Sequence, residues 1–273
     1  MKSCNLGIIG CGNMAQAVIE SIFAGGMSEY EKKSGVKLHV CVSDTDETKL
    51  AVAAEKFKGL ETSVSNAETV KKSEFVLLAV KPQVYAQALN GIDFAGKTVI
   101  SIMAGVPIAK LQENLGAKSV VRVMPNLNAR ILQSYNAYCV CGLNEAQEAF
   151  VFALLSSFGI AVKTPESRIN AVTGITGSGP AFVFMFFKAF AEVAQSYGFS
   201  KEEALQAAES VIASSACNLA SDPCVDIDKM VESVCSKGGT TIEGVEFLRS
   251  KDFVSTAKEA IVRAINRAEE LGK

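Results

Sequence analysis

The chain has 273 residues, enough for two domains, and 49% are hydrophobic against 21% charged, so it can bury a sizeable core. A formal charge of −2 at pH 7 gives no basic footprint for a nucleic-acid partner. The eight cysteines include no C-x-x-C pair, so they read as reduced thiols, mostly small core residues, in a cytoplasmic protein.

Met1 to Asn5 leads directly into a strand at Leu6 to Ile9, without the apolar segment of a signal peptide. Helix follows over Asn13 to Ala24, then a polar stretch, Ser28 to Gly35, that reads as a loop. Leu38 to Ser43 is the second strand and Glu47 to Phe57 its helix. Further strands are expected at Phe75 to Val80, Thr98 to Met103, Val120 to Met124 and Tyr135 to Val140. A helix from Asn144 to Ser157 and a strand near Ile160 to Lys163 complete the alternation of a parallel sheet with crossover helices. After Pro165 the apolar residues recur at helical spacing only, as in Phe182, Phe186, Ala189, Phe190 and Val193. Ser200 with Glu203 marks one more helix start. No apolar run approaches the ~20 residues needed to cross a bilayer. The Phe182 to Phe187 cluster is more apolar surface than a small domain buries, which predicts a homo-oligomeric interface. The division is 1–165, α/β, and 166–273, all-helical.

Two loops carry the chemistry. Ile9-Gly10-Cys11-Gly12-Asn13-Met14-Ala15 has the pattern G-x-G-x-x-A between the first strand and its helix. Gly10 permits a tight turn, Gly12 lets backbone approach a pyrophosphate, Ala15 allows close helix–strand packing, and the helix end attracts phosphate. Asp44, at the end of the second strand, is placed to accept a ribose 2′-hydroxyl, which leans toward NAD. It reads equally as a turn-forming residue, and Ser43 and Thr45 could serve a 2′-phosphate instead. Three other strand ends, Ala79-Val80-Lys81-Pro82, Met103-Ala104-Gly105 and Met124-Pro125-Asn126, lie where ligands of open parallel sheets bind.

The second loop is Ser236-Lys237-Gly238-Gly239-Thr240-Thr241. Its glycines let N–H groups converge, and Thr240 with Glu243 has capping-box spacing, so a helix N-terminus is expected there. Such a site holds a small anion. Two anion-seeking loops suggest a cofactor and a carboxylate substrate. An alcohol dehydrogenase needs a strong acid–base group, but the single histidine, His39, reads as a packed strand residue. Nor does any spacing suggest a metal site. Reduction of a C=N bond needs mainly positioning and one hydrogen-bond partner, for which Thr241 is the candidate.

These segments, with Arg122-Val123-Met124-Pro125-Asn126, Thr173-Gly174-Ile175-Thr176-Gly177-Ser178-Gly179-Pro180-Ala181 and Gly238 to Ile242, resemble the pyrroline-5-carboxylate reductase family. The resemblance implies a Rossmann-like NAD(P)-binding domain and a helical dimerisation domain, in a homodimer often assembled into a decamer. It implies hydride transfer from NADPH or NADH to L-1-pyrroline-5-carboxylate, giving L-proline; the charge and the lack of a long apolar run separately predict no nucleic-acid and no membrane partner. Cofactor contacts carry over to Ile9, Gly10, Cys11, Gly12, Asn13 and Met14, to Ser43 and Asn66, to Ala79, Val80, Lys81 and Pro82, and to Met103 and Ala104. Substrate contacts carry over to Ser236, Gly239, Thr240 and Thr241, with backbone N–H groups of Gly239 and Thr240 on the carboxylate and the Thr241 hydroxyl on the imine nitrogen. The chain departs from the family in Lys237, where proline is usual, in Leu127-Asn128, where Thr-Pro is usual, and in Asp44.

Two alternatives remain at this level. A two-domain hydroxyacid dehydrogenase needs a catalytic lysine in the Glu166 to Tyr197 helix, and Lys188, among phenylalanines, reads as snorkelling. A non-catalytic dinucleotide-binding protein has no need of an intact Gly-Gly-Thr-Thr nest. The Gly177 to Pro180 stretch predicts a kink or close helix contact.

Overall fold

Valine-, isoleucine- and leucine-rich runs become the inner strands of one eight-stranded sheet. The computed structural model describes residues 2–222 and 224–272; the outer bounds of the two expected domains, Met1 and Lys273, lie outside the described residues. The strands are β1 (Lys2–Ile9), β2 (Val36–Ser43), β3 (Glu61–Ser63), β4 (Phe75–Leu78), β5 (Thr98–Ser101), β6 (Ser119–Met124), β7 (Ser134–Cys141) and β8 (Gly159–Lys163). Their order is β3-β2-β1-β4-β5-β6-β7-β8. Strands β1 to β6 pair in parallel, as expected. The expectation of a wholly parallel sheet fails at β7, which runs antiparallel to β6. The link between them holds only the 3-10 turn Leu127–Ile131, too short for the crossover a parallel strand requires.

Alternate side chains of the strands feed two cores, one on each face. Leu6 and Ile8 join the cluster of Val18, Phe150 and Leu154, where the Phe75 and Phe150 rings stack with centroids 3.8 Å apart. Ile9 joins Leu78, Phe94, Leu111 and Ile169 on the other face. The helix Glu145–Ser156 starts with a reciprocal box between Asn144 and Gln147.

Several elements escape the sequence pattern. Ser28–Ser34 is a helix rather than a loop. Its residues are polar because it lies on the surface, anchored by the Tyr30 ring edge-on to Phe150 and ended by Gly35 at φ 67°. Asn66–Lys72 and Tyr85–Ala88 are helices, and β3 a strand, too short to show periodicity, while Ile108–Leu115 is a helix whose buried Ile108, Leu111 and Leu115 recur at helical spacing that the sequence reading passed over. His39 lies in β2 but is exposed, not packed. Only half of the cysteines are core residues: Cys4, Cys11, Cys41 and Cys139 are buried, while Cys141, Cys217 and Cys224 are exposed.

By compactness the chain forms two units: the described residues up to Ser178 with those from Ala264 onward, and Gly179–Arg263. In the first, the helical run from Glu166 passes through a π segment at Thr173–Gly177, so the glycine-rich stretch does distort the helix. Gly174 also permits close contact, since a Cβ there would lie 2.7 Å from the Ile265 backbone nitrogen. The second unit is helical throughout: Gly179–Ser196, Lys201–Ala220, Ile227–Val234, Thr240–Ser250 and the first turns of Phe253–Glu270. Ser200 and Glu203 form the expected capping box. Phe184, Met185, Phe190 and Val193 are exposed, and Ala191 alone is buried in its helix. Within the helical run Glu166–Ser196 an 18-residue window reaches mean hydropathy 1.3, enough by length and composition alone to cross a membrane, where the sequence reading expected none. Its glycines and alanines, spaced between phenylalanines, average to an apolar helix although no unbroken apolar stretch is visible.

Candidate active site

The glycine loop is built as its residue types require. Gly10 has φ 97°, and a Cβ there would lie 2.8 Å from the Ala79 carbonyl oxygen. Its N–H donates to Ser43 O at 2.7 Å, tying the loop to the end of β2. Gly12 is the N-cap of the helix Asn13–Ser21, which has neither a side-chain cap nor an acidic residue in its first turn. A Cβ on Gly12 would meet nothing within 4 Å, so uncapped backbone donors face open space. Ala15 is fully buried against the strand. A pyrophosphate fits this arrangement: donors without partners, room above them and a positive helix end.

The end of β2 is more closely wired than the sequence suggests. Asp44 accepts the Cys11 N–H through Oδ2 at 2.7 Å and the Asp46 N–H through Oδ1 at 2.9 Å. Burial and the adjacent Asp44 carboxylate push the Cys11 thiol pKa up. Ser43 is fully buried and donates to Asn66 Oδ1 at 2.7 Å, while Asn66 donates to Ala88 O. Ser43 therefore positions Asn66. Asp46 escaped the sequence reading, although its spacing to Lys49 is legible as an N-cap. Its carboxylate accepts from the Thr48 and Lys49 N–H groups and pairs with Lys49 Nζ at 3.2 Å, which holds the Asp46 pKa down and the Lys49 pKa up.

The remaining strand ends converge. Met14, Ala79, Val80, Lys81, Pro82, Met103, Ala104, Met124 and Pro125 line one cleft of about 260 Å³. It lies beyond the carboxyl ends of β1, β4, β5 and β6, where an open α/β sheet binds its ligand. Asn126 fixes its wall, accepting the Asn128 N–H and donating to Thr176 O at 3.0 Å across to the π segment. A network that the sequence did not reveal lies beneath. Buried Arg122 on β6 donates to Glu166 Oε1 at 3.3 Å and Asn170 Oδ1 at 2.6 Å, and the same Glu166 oxygen accepts the Ile108 N–H at 2.7 Å. A lone arginine inside an apolar strand was the available signal.

In the second unit, the loop from Ser236 turns at Gly238, φ 71°, into the helix Thr240–Ser250. The expected helix start is correct to one residue, but the capping box is not formed: Gly239 is the N-cap and no side chain caps it. Gly239 donates its own N–H to Ser236 O at 3.0 Å, within the loop. Thr240 and Thr241 occupy the first turn, exposed, at the positive end of the helix. Lys188 is an exposed residue paired with Glu192 at 3.4 Å, a surface ion pair and not a buried acid–base group. Among the described residues no cluster of three or more His, Cys, Asp or Glu can hold a metal.

Fold and site together define a dinucleotide-dependent oxidoreductase with a helical second part. Sequence comparison agrees: the family described as pyrroline-5-carboxylate reductase dimerisation matches residues 166–271, and that described as NADP oxidoreductase, coenzyme F420-dependent, matches residues 5–105. Pyrroline-5-carboxylate reductase of Methanosarcina acetivorans is 34% identical over 100% of both chains, and that of Aquifex aeolicus 37% identical over 97% of both. The solved 1-pyrroline-5-carboxylate reductase of Streptococcus pyogenes superposes with TM-score 0.85 at 28% identity, covering 98% of this chain and 99% of that one. The chain belongs to the pyrroline-5-carboxylate reductase family.

Proposed function

We propose that this protein reduces L-1-pyrroline-5-carboxylate to L-proline with NAD(P)H, the last step of proline biosynthesis. The observation that carries the reading is full-length similarity to reductases of that name, 34% identical over 100% of both chains. The two uncapped glycine N-termini, Gly12 and Gly239, support it.

The bound nicotinamide supplies the hydride. The glycine loop, Ile9 to Met14, holds the pyrophosphate through backbone donors. Asp44 and Asn66 hold the adenosine ribose, with the buried Ser43 positioning Asn66, while Ala79 to Pro82 and Met103-Ala104 line the nicotinamide side. The substrate carboxylate is held at the loop of the second unit, where Ser236 and Gly239 shape the turn. With the Gly239 N–H engaged by Ser236 O, the carboxylate falls to the first-turn donors at Thr240. The Thr241 hydroxyl hydrogen-bonds the imine nitrogen, which becomes the ring amine. Residues 1–165 act as the cofactor domain and 166–273 as the dimerisation and substrate domain.

The exposed phenylalanine face is the surface of a homodimer; further assembly to a decamer, a cytoplasmic location and the absence of nucleic-acid and membrane partners belong to the same proposal. Native mass measurement checks the assembly. For the site, Thr241→Ala lowers kcat about 10²-fold, the scale of one transition-state donor, while NAD(P)H affinity stays within twofold. NAD(P)H oxidation with pyrroline-5-carboxylate is the assay. Wild-type turnover in the variant would remove Thr241 from the reaction, and oxidation with 2-oxo acids alone would overturn the substrate.

A further inference from the structure

The loop that follows β2 contains no arginine between Ser43 and Lys49, and apart from the exposed hydroxyls of Thr45 and Thr48 the groups there able to serve a 2′-phosphate are already engaged. The Ser43 hydroxyl is buried and donates to Asn66 Oδ1 at 2.7 Å. The N-terminus of the helix Glu47–Lys56 is occupied by its own carboxylate, since Asp46 accepts from the Thr48 and Lys49 N–H groups. Lys49, the cation of this segment, pairs with Asp46 at 3.2 Å. Asp44 is held in place by two backbone donors, from Cys11 at 2.7 Å and Asp46 at 2.9 Å. Each oxygen of that carboxylate keeps a second lone pair, so Asp44 is a preorganised acceptor for a hydroxyl.

We propose that Asp44 and Asp46 together make this protein select NADH over NADPH. The inference rests on the dinucleotide reading of the Gly10 loop and names its cofactor. Asp44 accepts a ribose 2′-hydroxyl, and the same carboxylate repels a 2′-phosphate. Asp46 adds a second negative charge and withdraws both cationic elements of the rim, the helix end and Lys49, from a phosphate. A hydroxyl needs neither of them, so the cost falls on NADPH alone.

The experiment measures dissociation constants for NADH and NADPH by nicotinamide fluorescence with the full chain and no imino acid present, so no turnover is needed. The expected result is that NADH binds at least tenfold more tightly. Asp46→Ser, which keeps an N-cap side chain and removes the charge, tightens NADPH binding several-fold. Asp44→Ser weakens NADH and tightens NADPH, shrinking the ratio tenfold or more. The NADPH penalty also diminishes as salt rises from 0.05 M to 0.5 M, because the repulsion is screened. Equal binding of the two cofactors by the wild-type chain, or tighter NADPH binding, overturns the preference and leaves the reductase reading intact. Binding of neither overturns the dinucleotide reading itself. An unchanged ratio in folded Asp46→Ser, checked by its thermal transition, removes Asp46 from the selection.

Discussion

Removal of the Glu166 carboxylate tests how the sheet holds the first turns of the helical run. The Arg122 side chain is 4% exposed and that of Glu166 37%. Glu166 Oε1 serves two donors, the Arg122 guanidinium at 3.3 Å and the Ile108 N–H at 2.7 Å. In Glu166→Ala the guanidinium stays buried with Asn170 as its remaining partner, and its Nε already has none. Breaking one side of a buried pair costs about 3–5 kcal/mol, and an orphaned backbone donor about 1–3 kcal/mol. Glu166 is more than a third exposed, so water replaces part of both losses. The expected net loss is about 2–3 kcal/mol. Glu166→Gln keeps an acceptor for Ile108 and loses about 1 kcal/mol. Arg122→Met combined with Glu166→Leu removes both charges and is more stable than Glu166→Ala alone. Urea unfolding at fixed protomer concentration reads all three. A Glu166→Ala loss below about 0.5 kcal/mol, the scale of an ordinary surface substitution, would show that the pair holds nothing, as would a double variant no more stable than the single.

Two further expectations concern packing and thiols. Gly174→Val places a Cβ 2.7 Å from Ile265 N and destabilises by about 1–3 kcal/mol or more, read as a lower Tm; an unchanged Tm would mean the helices do not approach closely there. Burial pushes the Cys4 thiol pKa to about 12 and that of Cys139 to about 11. At pH 8 both therefore resist iodoacetamide while exposed Cys141 reacts, as resolved by mass spectrometry; equal labelling of Cys139 and Cys141 would contradict this burial. The unfolded chain loses these protons first, near pH 9, so both thiols contribute to a fall in stability as pH rises from about 9 through 11 and 12. Urea midpoints across that range check it, and a shallower fall in Cys4→Ala/Cys139→Ala than in wild type isolates their share.

The amino-acid sequence by itself determined the strands β1, β2, β4, β5 and β6, the glycine loop and the start of a helix near Thr240. Each depends on local causes: apolar runs at strand spacing, glycine at φ 97° and 71°, and helical signals read within a few residues. Tertiary structure decided the rest. β7 reverses because the link after Met124 is short, a constraint of geometry that composition does not carry. The polar segment Ser28–Ser34 is helical because Tyr30 finds Phe150 across 120 residues of sequence. Asp44 looked like either a ribose acceptor or a turn former. The fold shows the turn former, with Oδ1 on the Asp46 N–H, and adds a contact that only folding supplies, the Cys11 N–H on its second oxygen. Asp46 and Glu166 gain their meaning in the same way: a carboxylate's role is set by which donors the chain brings within about 3 Å of it, and sequence spacing specifies those donors only when they are local.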